Sequence, residues 1–249
     1  MQVFAPQLKI LASPEAVDQY AADVVLTQIK QKPESVFSVP TGATPKGMYQ
    51  LLVAAYQKGQ VDFSRVTVFS LDEYYPIKHT HPSSYHTYMR NVFYKEINIP
   101  QSQQFLPDGE AVDAHRESRR YNQLLHKHGP VDLTILGIGP GTTCHIGFNE
   151  KGSLVDSRVR YVELEAETKA VNAKFFANQQ EMPSGAISQG ITNILESKKI
   201  LLIAKGEGKA WGIRRMLTGE VSSEAPASFL RFHPKAAVIV DSEAGKLVR

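Results

Sequence analysis

Short apolar runs alternate along this chain with segments whose apolar residues recur at helical spacing. The runs fall at 8–11, 36–39, 66–71, 132–138, 160–164, 200–204 and 236–240. Most are apolar at consecutive positions, which predicts strands covered on both faces, as in a parallel sheet. Ser13 followed by Pro14 is a helix start, a hydroxyl cap and then a proline at the first helical position. Val17, Tyr20, Ala21, Val24 and Val25 then share one face. Thr44 and Pro45 repeat the signal ahead of Met48, Leu51, Leu52 and Ala55, and Gly59 ends that pattern. Tyr85, Tyr88, Met89, Val92 and Phe93 form a third helical face. The alternation predicts an α/β fold, an open, doubly wound, mostly parallel sheet with helices on both faces, Rossmann-like, in one domain over 1–249. Segment 98–114 reads as a loop-like crossover.

Composition narrows the function. The chain has 249 residues, 42% hydrophobic and 21% charged, enough to bury a core without disulfides. Cys144 is the single cysteine, so no internal disulfide forms, in keeping with a reducing compartment. No signal peptide and no membrane-spanning run is legible, so a cytoplasmic location without membrane association is expected. A net charge of +3 with scattered lysines and arginines lacks the basic block of a nucleic-acid tail. No nucleic-acid partner is expected; a small anionic ligand suits the mildly basic surface.

In such sheets ligands bind beyond the carboxyl ends of the strands. Three strand ends carry chemistry. After 36–39 come Pro40, Thr41, Gly42, Ala43, Thr44 and Pro45, where a helix begins at once. Free N–H groups and two threonine hydroxyls can hold a phosphate there, though a plain capped turn would read the same. After 66–71 come Asp72 and Glu73. Neighbours on extended backbone point opposite ways, so one carboxylate can face the crevice as a general base while the other pairs elsewhere. After 132–138 a glycine-rich loop holds His145 and, five residues on, Glu150, a proton shuttle with a carboxylate to fix its tautomer. Lys174 and Lys209 can each reach a phosphate as point charges, although lone lysines are usually solvated. Cys144, beside His145, reads as a small loop residue rather than a nucleophile. His79 and His81 read as a polar loop rather than a metal pair, and Arg158 and Arg160 as solvated.

Taken together these segments resemble the glucosamine-6-phosphate deaminase/isomerase family over nearly the whole chain. The resemblance rests on 40–45, on Leu71-Asp72-Glu73-Tyr74 followed by His81-Pro82-Ser83-Ser84-Tyr85, and on His145 to Glu150. Lys174-Phe175-Phe176, 206–209 and 224–230 before His233-Pro234 add to it. It implies a hexosamine 6-phosphate, of glucosamine or galactosamine, as the small-molecule substrate, converted to the ketohexose phosphate with loss of ammonia. It implies no metal and no organic cofactor. It implies that Asp72 moves a proton between C2 and C1, and that His145, supported by Glu150, handles ring opening. Thr41, Gly42, Ala43, Thr44, Lys174 and Lys209 match the surroundings of the substrate phosphate, and 160–188 matches a mobile lid.

The chain departs from the family pattern around the histidine. Pro140, Gly141, Thr142, Thr143 and Cys144 separate Gly139 from His145, about two residues more than usual by alignment. Thr143 stands where the family carries Asn or Asp, and Cys144 where it carries glycine. Lys151 replaces a proline and Lys174 an arginine, which loses a bidentate grip. Two other readings share the fold: a 6-phosphogluconolactonase-like hydrolase, and a sugar-phosphate-binding protein without turnover.

Overall fold

The computed structural model describes residues 1–139 and 143–248. Its main sheet has seven strands in the order β1 (Gln7–Leu11), β10 (Ala236–Asp241), β9 (Ile200–Ala204), β6 (Leu133–Leu136), β2 (Val36–Val39), β3 (Thr67–Ser70) and β5 (Gln104–Phe105). Every pairing in it is parallel. The consecutive apolar residues divide between two cores by alternation. Leu201, Ile203, Leu133, Ile135, Phe37 and Val39 face α1 (Pro14–Gln31), α2 (Lys46–Gln57) and α3 (Tyr85–Val92). Leu202, Ala204, Leu136, Val238 and Val240 face α6 (Ile191–Leu195) and α7 (Ala210–Thr218). Val36 and Phe69 pack against Tyr121 and Leu125 of α4 (Ala114–His128). Helices cover both faces, as the unbroken apolar runs require. No helix among the described residues is long and apolar enough to cross a membrane.

α1 starts as expected, with the Ser13 hydroxyl accepting from Ala16 N. α2 starts one residue later than Thr44-Pro45 suggests. Pro45 is its cap and no side chain closes it, which leaves the turn before it without a threonine cap.

The run at 160–164 is a correction. β7 (Arg160–Glu163) is a strand, but it lies outside the parallel sheet. It pairs antiparallel with β8 (Gly185–Ser188), which pairs antiparallel with β4 (Asp72–Tyr75). β4 follows β3 after the single residue Leu71. That residue is the seam between the sheets: Leu71 N donates to Val39 O at 3.0 Å, and Gln189 N donates to Leu71 O at 2.8 Å. The Gln189 side chain closes the seam, donating to Ser38 Oγ at 2.7 Å and to Ser70 O at 3.1 Å.

At the opposite, amino end of the sheet, Asp132 is buried and accepts from Val36 N at 2.9 Å while pairing with Lys32 at 2.6 Å and Lys198 at 2.8 Å. Burial alone would raise its pKa, but Lys198, Lys32 and the Val36 N–H together hold the carboxyl below the ordinary carboxylate range. Its contribution to stability is therefore complete above about pH 3.9 and is lost as pH falls through the lower folded-state value. Asp132→Ala leaves a buried N–H unpaired and is expected to cost about 2 kcal/mol at neutral pH. Urea unfolding at pH 7 and pH 3 checks both parts, the difference between wild type and variant shrinking at the lower pH.

Candidate active site

Four adjacent strands, β9, β6, β2 and β3, deliver the sequence-predicted residues from their carboxyl ends. At about 4.8 Å per strand, those ends lie within about 15 Å of one another. The strand order also reverses here, since the chain leaves β2 toward β3 on one side and β6 lies on the other.

Asp72, the first residue of β4, is 6% exposed, and its Oδ2 lies against Gly147 in the loop that follows β6. Burial, and then the charge of Glu73, push its pKa up from the carboxylate range to about 8. Glu73 faces the other way and is fully buried. It accepts from Tyr74 N, Tyr85 N and His86 N at 2.8–2.9 Å. The alternation of extended backbone therefore separates the two carboxylates, one toward Gly147 of the histidine loop and one onto the first turn of α3.

His145 Nδ1 lies 3.3 Å from Glu150 Oε2, an ion-pair distance without the geometry of a formed hydrogen bond. Burial would raise Glu150, but His145 outweighs it, helped by Thr168 and the Glu165 backbone, and its carboxyl stays below the ordinary range. A carboxylate facing Nδ1 favours the tautomer with its proton there and leaves Nε2 as the base. The imidazole lies flat on Gly139: a Cβ at that position would stand 2.5 Å from ring atoms. Gly139 N also donates to His145 O at 2.8 Å. The longer loop's Pro140, Gly141 and Thr142 lie outside the described residues, but the residues on either side of them are tied directly together.

Thr143 is buried. Cys144 is buried in the core beneath α7, its thiol donating to Gly212 O at 3.4 Å, and burial pushes its pKa up to about 11. Such a thiol is not a nucleophile. Its φ of 47° is left-handed, the conformation that favours the glycine expected at this position.

Thr41, Gly42, Ala43 and Thr44 form the turn between β2 and α2, with Gly42 at φ 91°. Helix α3 props this turn. Tyr88 Oη donates to Gly42 O at 2.5 Å, and the Tyr85 hydroxyl sits beside Thr41. Lys209, after β9, is not a solvated lysine. It donates to Ile138 O at 2.6 Å, and burial followed by the Lys174 charge depresses its pKa to about 8. Among the described residues Lys209 and Lys174 have no carboxylate partner within ion-pair distance. Two converging ammonium groups without a counter-charge suit an anion.

Lys174 is carried by the 160–188 segment, which runs from β7 through α5 (Ala166–Asn172) and two single-turn helices to β8. Ser83 Oγ donates to Phe175 O at 2.6 Å, His81 stands 3.5 Å from Glu181, and Phe176 is buried against Tyr74. His79 instead pairs with Asp108 and Glu110, so the two histidines do not converge. No group of three metal-ligating side chains occurs among the described residues. Arg158 pairs with Glu196 at the surface. Arg160 was expected to be solvated, but it donates to Asn149 Oδ1 at 2.9 Å and to Ser153 Oγ at 2.8 Å. Asn149 in turn donates to Ile146 O and Gln189 O, both at 2.8 Å, which fixes the His145–Glu150 loop to β8.

Residues 12–239 match the family model described as glucosamine-6-phosphate isomerases/6-phosphogluconolactonase. The chain is 39% identical over 239 residues to a glucosamine-6-phosphate deaminase of Thermoanaerobacter pseudethanolicus, covering 96% of this chain and 94% of that one. Its fold matches a solved monomeric glucosamine-6-phosphate deaminase with a TM-score of 0.94 at 38% identity, covering 97% of this chain and 99% of the other. A 6-phosphogluconolactonase from Trypanosoma brucei shares the fold with a TM-score of 0.82 at 18% identity, covering 99% and 100% of the two chains. By sequence and by fold, the chain belongs to the glucosamine-6-phosphate isomerase/6-phosphogluconolactonase family.

Proposed function

We propose that this protein is a glucosamine-6-phosphate deaminase, converting the amino aldose phosphate to fructose 6-phosphate and ammonia. The observation that carries the reading is a buried carboxyl group, Asp72, against the His145–Glu150 loop, at a crevice that also presents two unpaired ammonium groups. Similarity to deaminases over nearly the full chain favours this over lactone hydrolysis, because the lactonases share the fold at far lower identity.

The substrate phosphate sits on the 41–44 turn between Lys209 and Lys174, which orients the sugar without touching the reacting carbons. His145 transfers a proton from the anomeric hydroxyl to the ring oxygen, opening the ring to the aldehyde. Asp72 then takes the C2 proton, giving the enolamine as the C1 oxygen is protonated, and returns it to C1 while the amino group gives up a proton to balance the one taken by the C1 oxygen. A carboxyl group whose pKa is raised by burial is suited to both halves of that transfer near neutral pH. The product of the second step is an imine at C2. Water adds to that carbon and ammonia leaves. The 160–188 segment acts as a lid that brings Lys174 to the phosphate and keeps bulk water from the enolamine.

The direct test is incubation of the purified protein with glucosamine 6-phosphate, with ammonia and fructose 6-phosphate measured together. Equal amounts of both support the reading, and folded protein that yields neither removes it. Lys209 should bind phosphate only as the ammonium ion, so KM is expected to rise as pH passes above about 8. Lys209→Gln should raise KM about tenfold at pH 7, with a smaller effect on kcat, in steady-state assays. Gly139→Ala drives a methyl group into the imidazole of His145. It should slow turnover of the closed-ring substrate about a hundredfold and an open-chain analogue much less; equal losses on both would detach His145 from ring opening.

A further inference from the structure

Glu73 is the one buried carboxylate of the site that the proposed chemistry leaves unused. It is fully buried, yet it has no cationic partner among the described residues. Its carboxyl group is met by backbone alone: burial raises its pKa to about 7, and the three N–H groups oppose that rise. Oε1 accepts from Tyr74 N and Tyr85 N, both at 2.9 Å, and Oε2 accepts from His86 N at 2.8 Å. Tyr85 and His86 are the first two residues of α3, whose ordinary cap is already supplied by Ser84 accepting from Thr87 N at 3.0 Å. Glu73 therefore takes up N–H groups that a helix otherwise leaves to solvent, and in its ionised form it places a negative charge at the positive end of the helix.

The helix so held has its other contacts at the phosphate turn. Tyr88 Oη donates to Gly42 O at 2.5 Å, the Tyr85 hydroxyl sits beside Thr41, and the Tyr85 ring packs on Tyr74 at 4.8 Å. A continuous path thus runs from the backbone of β4, which carries Asp72, through the Glu73 carboxylate and α3 to the 41–44 turn. The two ends of that path grip opposite ends of a hexose phosphate. Their spacing has to match the distance from C2 to the phosphorus of the open-chain sugar.

We infer that Glu73 is a positioning residue that, through α3, sets the distance between the base Asp72 and the phosphate-binding turn. The inference rests on the reading of the site given above, in that the turn binds phosphate and Asp72 is the base. A glutamine at 73 keeps the shape but replaces one acceptor oxygen by an NH2 group that must face a backbone N–H. The loss of one buried hydrogen bond of this kind is worth about tenfold in an equilibrium.

Three measurements on Glu73→Gln test it, with Tyr88→Phe as the companion variant that cuts the far end of the path. Amide exchange at Tyr85 and His86, without any ligand, should quicken about tenfold in Glu73→Gln and stay unchanged in Tyr88→Phe. Titration with inorganic phosphate should weaken several-fold in both variants. In steady-state deaminase assays Glu73→Gln should raise KM and lower kcat, because base and turn separate, whereas Tyr88→Phe should raise KM alone. Exchange at α3 that does not change would show that Glu73 does not hold the helix. Loosened exchange with phosphate affinity and both kinetic constants within about twofold of wild type would show that the helix does not set the spacing. Either result overturns the inference. If the wild-type protein releases no ammonia, the deaminase reading fails, and exchange with phosphate titration still decides the role of Glu73. Should Glu73→Gln not fold, Tyr88→Phe carries the test, and unchanged phosphate affinity there is the contrary result.

Discussion

Two carboxyl groups one backbone step apart are kept from water where the parallel sheet hands over to the antiparallel one. Among the described residues, neither is neutralised by a lysine or arginine. Glu73 is held by three backbone N–H groups, and Asp72 is left facing the crevice against Gly147. Desolvating a carboxylate is costly unless hydrogen bonds replace the lost water. The seam supplies those bonds on one side only: burial raises Glu73 to about 7 against the opposing pull of its three N–H groups, and raises Asp72, which lacks them, to about 8. Much of the surrounding structure serves this asymmetry. Gln189 ties Ser38, Ser70 and Leu71 together beneath the seam, β8 pairs with β4, Asn149 binds the histidine loop to Gln189 just beyond β8, and Arg160 binds it to β7.

The parallel sheet was legible because its strands are apolar on consecutive positions, and each strand has two apolar cores to fill. The second sheet was legible only in part, since the 160–164 run marks β7 as a strand but not the sheet it joins. Asp72–Tyr75 reads as polar, Gly185–Ser188 is a short stretch of small residues, and Arg160–Glu163 is only half-buried. These strands owe their existence to one another and to Leu71, and the pairing of β4 with β8 across more than a hundred residues leaves no local signal. Helix α4 was missed for a related reason, since its exposed face is dense in Arg, His and Lys and its buried face rests on few apolar side chains.

At the site, the residues that touch substrate in the proposed mechanism, Lys174 of the 160–188 segment apart, were legible from their place at or soon after strand ends. The residues that hold them were not. Gln189 reaches Ser38 across 151 residues, and Gly139 matters because an imidazole lies on it. Glu73 stood beside Asp72 in the sequence with the right alternation, but only the three-dimensional arrangement reveals that it takes up the first turn of α3. The longer loop before His145 departs from the family pattern, and the described residues that flank it are held by backbone hydrogen bonds. Gly139 and His145 are hydrogen-bonded across it, and Cys144 is anchored by Ala227 N donating to its carbonyl at 2.9 Å.

The central claim is that the desolvated carboxyl of Asp72 moves the proton between C2 and C1. The most direct measurement is hydrogen exchange at C2 of glucosamine 6-phosphate in deuterated water, followed by NMR for the wild type and for Asp72→Asn. The account predicts solvent exchange at C2 with the wild type, and a loss of about a thousandfold in the variant while inorganic phosphate still binds. Exchange that persists at the wild-type rate in Asp72→Asn would place the base elsewhere and contradict the account.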